Sequence, residues 1–413
     1  MTLKKKFKIL IVSQYFPPEI GAGSSRAFEN AKRFVKLGAE VTVLTNFPNY
    51  PNGVISEKYK GKTSYVEFID NIKVIRVFTY ATPNKGFFKR SLAYFSFMVF
   101  SAFQGVFKVG FPDVIIATSP PFFVGISGFI LSFLLSKPFV FEVRDLWPES
   151  IVQLGQVKNK TIINIMEKLE VFLYKKSTKI ISVTDSYIPI IANKGIDNSK
   201  IEKITNGVDI KFFNPIKKDL SLCNSLMLQK KFVVSYLGTL GLAHALEKVL
   251  DSAKLLENDD RIHFLFIGDG AERDKLKNKA KELMLQNVTF LGTIEKKDLA
   301  KYYSISDVLL VPLRGIPLFK TVIPSKIFEI MAMKKPLILS VDGESKKIIE
   351  GANSGIVIEP ENFLELKNVI ELLSSNKKLC AELGENGRMF VKQKFNRDIL
   401  AKNYLELLKN IIA

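Results

Sequence analysis

Apolar residues along this chain follow two alternating rhythms, and the alternation predicts the fold. Lys8–Ser13 is an apolar run of strand length, Ser25–Leu37 places Ala27, Ala31, Phe34 and Val35 at helical spacing, and Val41–Thr45 is a second β run, so the chain opens as a βαβ unit. Phe111–Thr118 reads as a strand closed by Ser119-Pro120-Pro121, Phe122–Leu135 as a helix and Phe139–Val143 as a strand again. Ile180–Val183 and Ile201–Ile204 continue the series. The pattern then restarts with Phe232–Leu237, Ile262–Ile267, Val288–Leu291, Val308–Val311, Pro336–Ser340 and Gly355–Ile358. Strands separated by helices make parallel α/β sheets, and the restart predicts two doubly wound halves. Asn214–Lys231, with Pro215, Lys217, Lys218 and Asp219 and no firm periodicity, reads as the linker, which divides the chain into domains 1–215 and 216–395. A final amphipathic helix, about Arg397–Ile412 within 396–413, is expected to pack on one of the halves, with the first as a candidate.

One stretch departs from the two rhythms. Phe87–Phe107 is apolar nearly all round and rimmed by Lys85, Lys89, Arg90 and Lys108. A membrane span needs about 20 apolar residues, and Ser91, Ser96, Ser101 and Gln104 interrupt this one. Two readings remain open: a helix buried in the fold, or an interfacial helix that enters a lipid surface with its aromatic side chains. Phe122–Leu135 is more simply the core helix of a βαβ crossover.

Length and charge add constraints. A chain of 413 residues exceeds what one hydrophobic core comfortably serves, in keeping with two domains. The net charge of +19 calls for polyanionic partners. Zinc-finger spacing, a basic heptad helix and an aromatic ribonucleoprotein signature are all missing, so no nucleic acid is expected. Anionic lipid and phosphorylated small molecules remain. Cys223 and Cys380 are far apart and form neither a disulfide framework nor a Cys-x-x-Cys motif, and the start of the chain does not read as a secretory leader. A reducing, cytoplasmic setting is the expectation.

Candidate chemistry gathers where strands end. After the first strand, Gly21, Gly23 and a helix start capped by Ser24 or Ser25 make a backbone cradle for an anion, with Arg26 close behind. This is an incomplete dinucleotide fingerprint: Arg26 stands where a third glycine belongs, and no acid ends the second strand. In the second half, Gly238-Thr239-Leu240-Gly241, Gly268-Asp269-Gly270 and Gly292-Thr293-Ile294 bare the backbone at carboxyl strand ends, the ligand edge of open α/β sheets. Pro324-Ser325-Lys326-Ile327-Phe328-Glu329 follows them. Asp145 ends a strand, either as a helix cap or as an acceptor contact or proton acceptor. His263 reads as structural, and His244 as a possible phosphate donor. No metal is expected, since there is no Asp-x-Asp pair and no histidine cluster.

From Ile9 to about Arg397 these pieces resemble glycosyltransferase family 4, the retaining group with the GT-B architecture. The resemblance rests on Gly21-Ala22-Gly23, Asn206-Gly207-Val208-Asp209, Gly268-Asp269-Gly270 with Glu272, Phe290-Leu291-Gly292, Ser306-Asp307-Val308 and Pro324-Ser325-Lys326 to Ala332. Arg144-Asp145-Leu146-Trp147-Pro148-Glu149-Ser150 and Pro317–Thr321 are similar to the bacterial O-antigen and capsule branch that includes N-acetyl-fucosamine transferases. The resemblance implies an α/β GT-B fold, two Rossmann-like doubly wound domains facing a cleft. It gives Glu329 the donor ribose, Gly292 and Ile294 the base, and Lys326 the diphosphate. Gly21, Gly23, Gly238, Thr239, His244, Gly268, Gly270 and Lys320 complete the expected donor set. Arg26, Arg144 and Asp145 form the acceptor set, with Asp145, Lys326 and Glu329 as the catalytic candidates. Thr321 stands where the family has a second glutamate, and Thr239 and His244 where it has the arginine and lysine that grip the diphosphate. Lys320, Lys326, Arg144 and Arg26 are the candidate replacements.

The function so implied is front-face, retaining transfer of a hexosyl or N-acetylaminosugar residue from a UDP-sugar to a polyprenyl-diphosphate-linked saccharide. The sugar donor is a substrate and no cofactor is expected; the setting is an anionic membrane surface, with peripheral association at the inner face of the cell membrane. Alternatives are a nucleotide-sugar epimerase of the same fold and a catalytically inactive membrane-docking partner of such an enzyme.

Overall fold

A computed structural model describes residues 6–19, 21–50, 52–83, 87–153, 155 and 157–412, apart from the side chains of Ala22 and Phe87. Lys85, expected in the basic rim, lies outside the described residues. The chain divides into two compact units, Met1–Asn206 with Arg397–Ala413, and Gly207–Asn396.

In the first unit, β1 (Lys8–Val12), α1 (Ala22–Lys36) and β2 (Glu40–Asn46) form the opening βαβ unit. β3 (Ser64–Ile69) and β4 (Ile72–Val77) add an antiparallel hairpin turned at Asp70 and Asn71, both at positive φ (50° and 62°), a conformation that short polar side chains tolerate. The sequence reading did not anticipate this hairpin: β3 is an edge strand with Val66 and Phe68 in solvent, so no clean apolar alternation marks it. α2 (Phe87–Lys108), β5 (Val114–Ser119), α3 (Phe123–Leu135), β6 (Phe139–Val143), α4 (Glu149–Gln153), α5 (Lys160–Lys176), β7 (Lys179–Ser182), α6 (Tyr187–Ala192) and β8 (Ile201–Lys203) follow. The sheet order is β3-β4-β2-β1-β5-β6-β7-β8, parallel except at β3. Chain order reverses between β1 and β5, which pair directly, so the carboxyl ends of these two strands open a crevice. α3 lies close on the sheet because a Cβ at Gly128 would stand 2.5 Å from that of Ala117 and one at Gly125 2.7 Å from the Phe141 ring. It is the core helix the sequence predicts.

The second unit holds α7 (Leu220–Ser225), β9 (Phe232–Leu237), α8 (Leu246–Leu255), β10 (Ile262–Ile267), α9 (Arg273–Glu282), β11 (Val288–Leu291), α10 (Leu299–Ile305), β12 (Val308–Pro312), α11 (Lys326–Ala332), β13 (Leu337–Ser340), α12 (Glu344–Ala352), β14 (Gly355–Val357), α13 (Phe363–Ser375) and α14 (Lys377–Lys394). Its parallel sheet runs β11-β10-β9-β12-β13-β14 and reverses between β9 and β12. Asn214–Lys231 is not a linker. Asp219 caps α7 by accepting from the Leu222 N–H at 3.0 Å, and Phe213, Cys223 and Leu228 are buried in this unit's core, so the division falls at Asn206/Gly207 instead of residue 215. A single six-residue helix is too short to show a period.

The last helix, α15 (Arg397–Asn410), belongs to the first unit. Ala401, Tyr404, Leu405 and Leu408 are buried with β1 and α1, and Arg33 Nε donates to Asp398 Oδ1 at 2.7 Å. Among the described residues no helix is long and apolar enough to cross a membrane. α2 buries one face, where Phe97 is fully covered and Ser101 Oγ donates to Ser127 Oγ of α3 at 2.9 Å.

Candidate functional site

At the β9/β12 reversal of the second unit the chain bares its backbone. Gly238 (φ 143°) ends β9, and Gly268 (φ 135°) ends β10 so close beside it that a Cβ there would stand 2.0 Å from the Gly238 carbonyl oxygen. A Cβ on Gly270 would stand 2.3 Å from the Leu240 carbonyl oxygen. The neighbouring strand end at Gly292 is open instead: nothing lies within 4 Å of where its Cβ would be. Ile294 packs partly into the core and lines a concavity of ≈ 430 Å³ with Thr293, Asp219 and Tyr302.

Lys326 opens α11 beneath this edge. Its Nζ is buried with no hydrogen-bond partner, 3.9 Å from the centroid of the Tyr236 ring and 2.7 Å from where a Cβ on Gly238 would sit. Burial pulls its pKa down to about 7, with Glu329 pulling the other way. One turn on, Glu329 accepts from Tyr303 Oη at 2.9 Å. Burial, and then Glu329 itself, hold the Tyr303 hydroxyl well above its ordinary pKa, so it stays a neutral donor. Tyr236 Oη donates to the Thr239 carbonyl at 2.7 Å, and so fixes the loop that follows β9.

Two expected donor residues are reassigned. His244 Nδ1 bonds the Pro312 carbonyl at 3.2 Å, a contact in which the nitrogen must carry the proton, and burial followed by the Lys326 charge lowers its pKa to about 4. The ring is therefore neutral with Nε2 unprotonated, and has no proton to offer a phosphate. Lys320 is on the surface, 3.1 Å from Asp342 in a 3-10 turn over Pro317–Thr321. Of the second unit's two candidate lysines, Lys326 is the one without a hydrogen-bond partner. His263 is structural: its Nε2 lies 2.9 Å from Thr289 Oγ1. Among the described residues no group of three metal-ligating side chains exists.

The first unit's reversal carries different chemistry. α1 starts earlier than expected, with Gly21 as its N-cap and no side-chain cap bond, so Ser24 and Ser25 fall inside its first turn. A Cβ on Gly23 would stand 3.2 Å from Arg144 Nη1 and 3.8 Å from the Tyr15 ring, which places the Arg144 guanidinium against the start of α1. Arg144 Nε and Nη1 are buried without partners, and burial lowers its pKa to about 10, against the pull of Glu142. Asp145 beside it is raised to about 6 by burial, against Ser150 and the Arg144 charge. Asp145 does not cap a helix, since α4 starts four residues later at Glu149. Trp147 stacks on Phe122 at 4.7 Å and anchors this loop.

Arg26 belongs to the framework instead of the acceptor face. Its Nη2 donates to Glu142 Oε2 at 2.9 Å and to the Ile204 carbonyl at 2.8 Å, and its Nη1 to the Thr205 carbonyl and Asn206 Oδ1. Tyr236, Tyr303 and Glu142 were not singled out in the sequence. Tyr236 and Glu142 lie within runs that read as plain strand; the fold brings Tyr236 under Lys326 and Tyr303 onto Glu329, and closes Glu142 in the core on Arg26 and Thr118.

Two doubly wound units, each with a reversal of strand order and the second bared by glycines there, define the class as GT-B-like. Residues 23–212 match the family described as Glycosyltransferase Family 4 and residues 224–390 the family described as Glycosyl transferases group 1. The "Probable glycosyltransferase WbjE" of Pseudomonas aeruginosa is 23% identical over 73% of this chain and 75% of its own. The "Uncharacterized glycosyltransferase MJ1069" of Methanocaldococcus jannaschii is 22% identical over 99% and 100%. The capsular polysaccharide biosynthesis glycosyltransferase CapM of Staphylococcus aureus is 23% identical over 67% and 71%. In fold, the chain is similar to sucrose-phosphate synthase from Thermosynechococcus elongatus (TM-score 0.77, 19% identity, 98% and 99% of the two chains). It is likewise similar to Anabaena HepE in complex with UDP and glucose (TM-score 0.72, 19% identity, 98% and 99%). The chain is a glycosyltransferase with a family 4-like domain followed by a group 1 domain.

Proposed function

We propose that this enzyme transfers a sugar with retention from a UDP-linked donor to a polyprenyl-diphosphate-linked saccharide during cell-surface polysaccharide assembly, working at the inner face of the cell membrane. One observation carries the donor half of the reading. Lys326 is a buried, unpartnered cation at a glycine-bared sheet reversal, one helical turn from the tyrosine-held carboxylate Glu329. A buried cation without a partner is costly unless a ligand completes it. A diphosphate on Lys326 with ribose hydroxyls on Glu329 satisfies both groups, and the bare backbone at Gly238 and Gly268 lets the phosphates approach.

In this reading the bond between the sugar's anomeric carbon and the diphosphate oxygen breaks while the acceptor oxygen bonds the same face. The acceptor proton passes to the departing phosphate. Lys326 stabilises the charge that develops there, which does the work a metal ion does in other transferases. The acceptor rests on the first unit's Arg144 and Asp145, where the unpartnered guanidinium suits its anionic diphosphate. The motifs at Arg144–Ser150 and Pro317–Thr321 favour an N-acetylaminosugar such as N-acetyl-fucosamine as the group moved. CapM's description as a capsule enzyme, and the UDP held by HepE, support the polysaccharide setting and the donor class.

Calorimetric titration with UDP and with GDP, with and without EDTA, tests the reading. UDP binding that is insensitive to EDTA and lost in Glu329→Ala is the expected result. Binding of neither nucleotide refutes it.

A further inference from the structure

The exposed face of α2 carries a second kind of chemistry. Phe88, Leu92, Phe95, Val99, Phe103 and Phe107 follow one another at steps of four or three residues, the spacing of a single helix face, and every one is exposed. Phe88, Phe103 and Phe107 are exposed by 80%, 68% and 76%. The opposite face is closed in the core by Ala93, Phe97 and Ser101. α3, which packs beside α2 through the Ser101–Ser127 hydrogen bond, ends in Phe133 and Leu134, also exposed. An apolar stripe of this length on the surface marks a contact with something that is not water.

Charge decides what that contact is. α2 carries Lys89, Arg90 and Lys108 and no acidic residue, and α3 carries no charged residue at all. Lys176 at the end of α5 lies 5.9 Å from the Phe172 ring. Aromatic side chains flanked by cations with no acids between them fit an anionic bilayer surface, where rings lodge at headgroup depth and lysines meet phosphate. α2 also reaches the candidate acceptor site. Arg90 Nε and Nη2 lie 3.3 Å from Tyr94 Oη, Tyr94 neighbours Tyr15, whose hydroxyl is held above its ordinary pKa by burial and then by Tyr94, and the Tyr15 ring lies beside Gly23 next to Arg144.

We propose that the outer face of α2, from Phe88 to Phe107, is a monotopic docking surface for anionic bilayers that inserts its phenylalanines among the headgroups. The proposal deepens the reading of a lipid-linked acceptor and rests on it for its purpose: the same helix that docks presents Arg90 and Tyr94 to the site, so an acceptor diphosphate at the headgroup plane arrives at its anchor without leaving the membrane.

Co-sedimentation of the full chain with phosphatidylethanolamine/phosphatidylglycerol vesicles, compared with phosphatidylcholine vesicles, tests this. The wild-type protein is expected to pellet with the first and not the second, and to keep part of its binding in high salt because insertion is not purely electrostatic. Phe95→Ser with Phe103→Ser should lower the vesicle partition coefficient by about tenfold or more, since each removes an exposed ring that would enter the bilayer. The double variant should titrate with UDP as the wild type does, which shows that it folds. Three outcomes overturn the proposal: wild-type protein that stays in the supernatant, a double variant that pellets equally well, or a wild-type dimer that the double variant dissolves, which would make a second copy the partner. Failure of UDP binding in both proteins with vesicle binding intact would refute the UDP-donor reading and leave the docking surface standing.

Discussion

Lys326 Nζ stands 3.9 Å over the Tyr236 ring with no hydrogen-bond partner, the place that the donor diphosphate fills in the function proposed above. The lysine's pKa near 7 makes its charge conditional. A diphosphate favours the charged form, so UDP affinity should fall as pH rises through about 7, by up to tenfold per pH unit where the empty site is mostly neutral. Calorimetry at pH 8 in phosphate and in Tris should show net proton uptake on binding; equal heats in the two buffers, after dilution correction, would sink the assignment. Lys326→Met should abolish binding and at the same time raise the melting temperature, because it removes a buried charge without a partner, a gain of about 1–2 kcal/mol.

The Tyr303–Glu329 hydrogen bond supplies a quieter test. Tyr303→Phe keeps the ring in its core position and removes one donor at 2.9 Å from the carboxylate. A lost bond to a charged group is worth about 1.5–3 kcal/mol. UDP should therefore bind roughly tenfold to a hundredfold more weakly, with the sheet intact by circular dichroism.

Asp145 tests the acceptor side. Burial raises it to about 6, so its carboxylate is present above that pH and lost below it. In the proposed reading that carboxylate holds the acceptor, so kcat should fall on the acid side of about 6. In Asp145→Asn that limb should vanish and the plateau drop by roughly tenfold to a hundredfold, the worth of one hydrogen bond to a charged group. An unchanged profile in Asp145→Asn would reduce the residue to a loop anchor.

Most strand positions were legible because both units bury their sheets on both faces, which leaves apolar runs with little else they could be. Phe139–Val143 and Phe232–Leu237 are observed at the limits read from the sequence. The β3/β4 hairpin was not legible, since β3 has one face in water. The unit boundary was misplaced because α7 is shorter than two helical turns. At the sites, residue type was informative and partnership was not. Arg26 and Arg144 look alike in sequence, yet the fold gives Arg26 four acceptors and leaves Arg144 Nε and Nη1 with none. The same holds for Lys320, paired on the surface, and Lys326.

Gly268 is predicted to be intolerant of any side chain. An alanine there would put its Cβ 2.0 Å from the Gly238 carbonyl oxygen at a φ of 135°. Backbone must move, and what moves is the Gly238 loop beside Lys326. Gly268→Ala should cost about 2–4 kcal/mol and lose UDP binding together, whereas Gly292→Ala, with nothing within 4 Å, should keep the stability intact. Thermal melts of the two variants side by side decide this.

Arg26 and Glu142 form a buried ion pair at 2.9 Å, with Thr118 Oγ1 donating to the other carboxylate oxygen at 2.9 Å. Burial alone would raise the Glu142 pKa, but the Arg26 charge and hydrogen bond outweigh it and hold the carboxylate below its ordinary value. A depressed folded pKa contributes stability above the unfolded value of about 4.3 and loses it as pH falls through the folded value. Glu142→Gln leaves the guanidinium buried without its counter-charge, a loss of about 3 kcal/mol at neutral pH. The difference in melting temperature between Glu142→Gln and wild type should hold from pH 8 to about 5 and shrink steadily below about 4, where the wild-type pair is itself being neutralised. A constant difference down to pH 3 would mean that the pair does not govern the acid limb. Replacing both partners, Arg26→Met with Glu142→Leu, should recover much of the loss, because two apolar groups leave no charge stranded in the core.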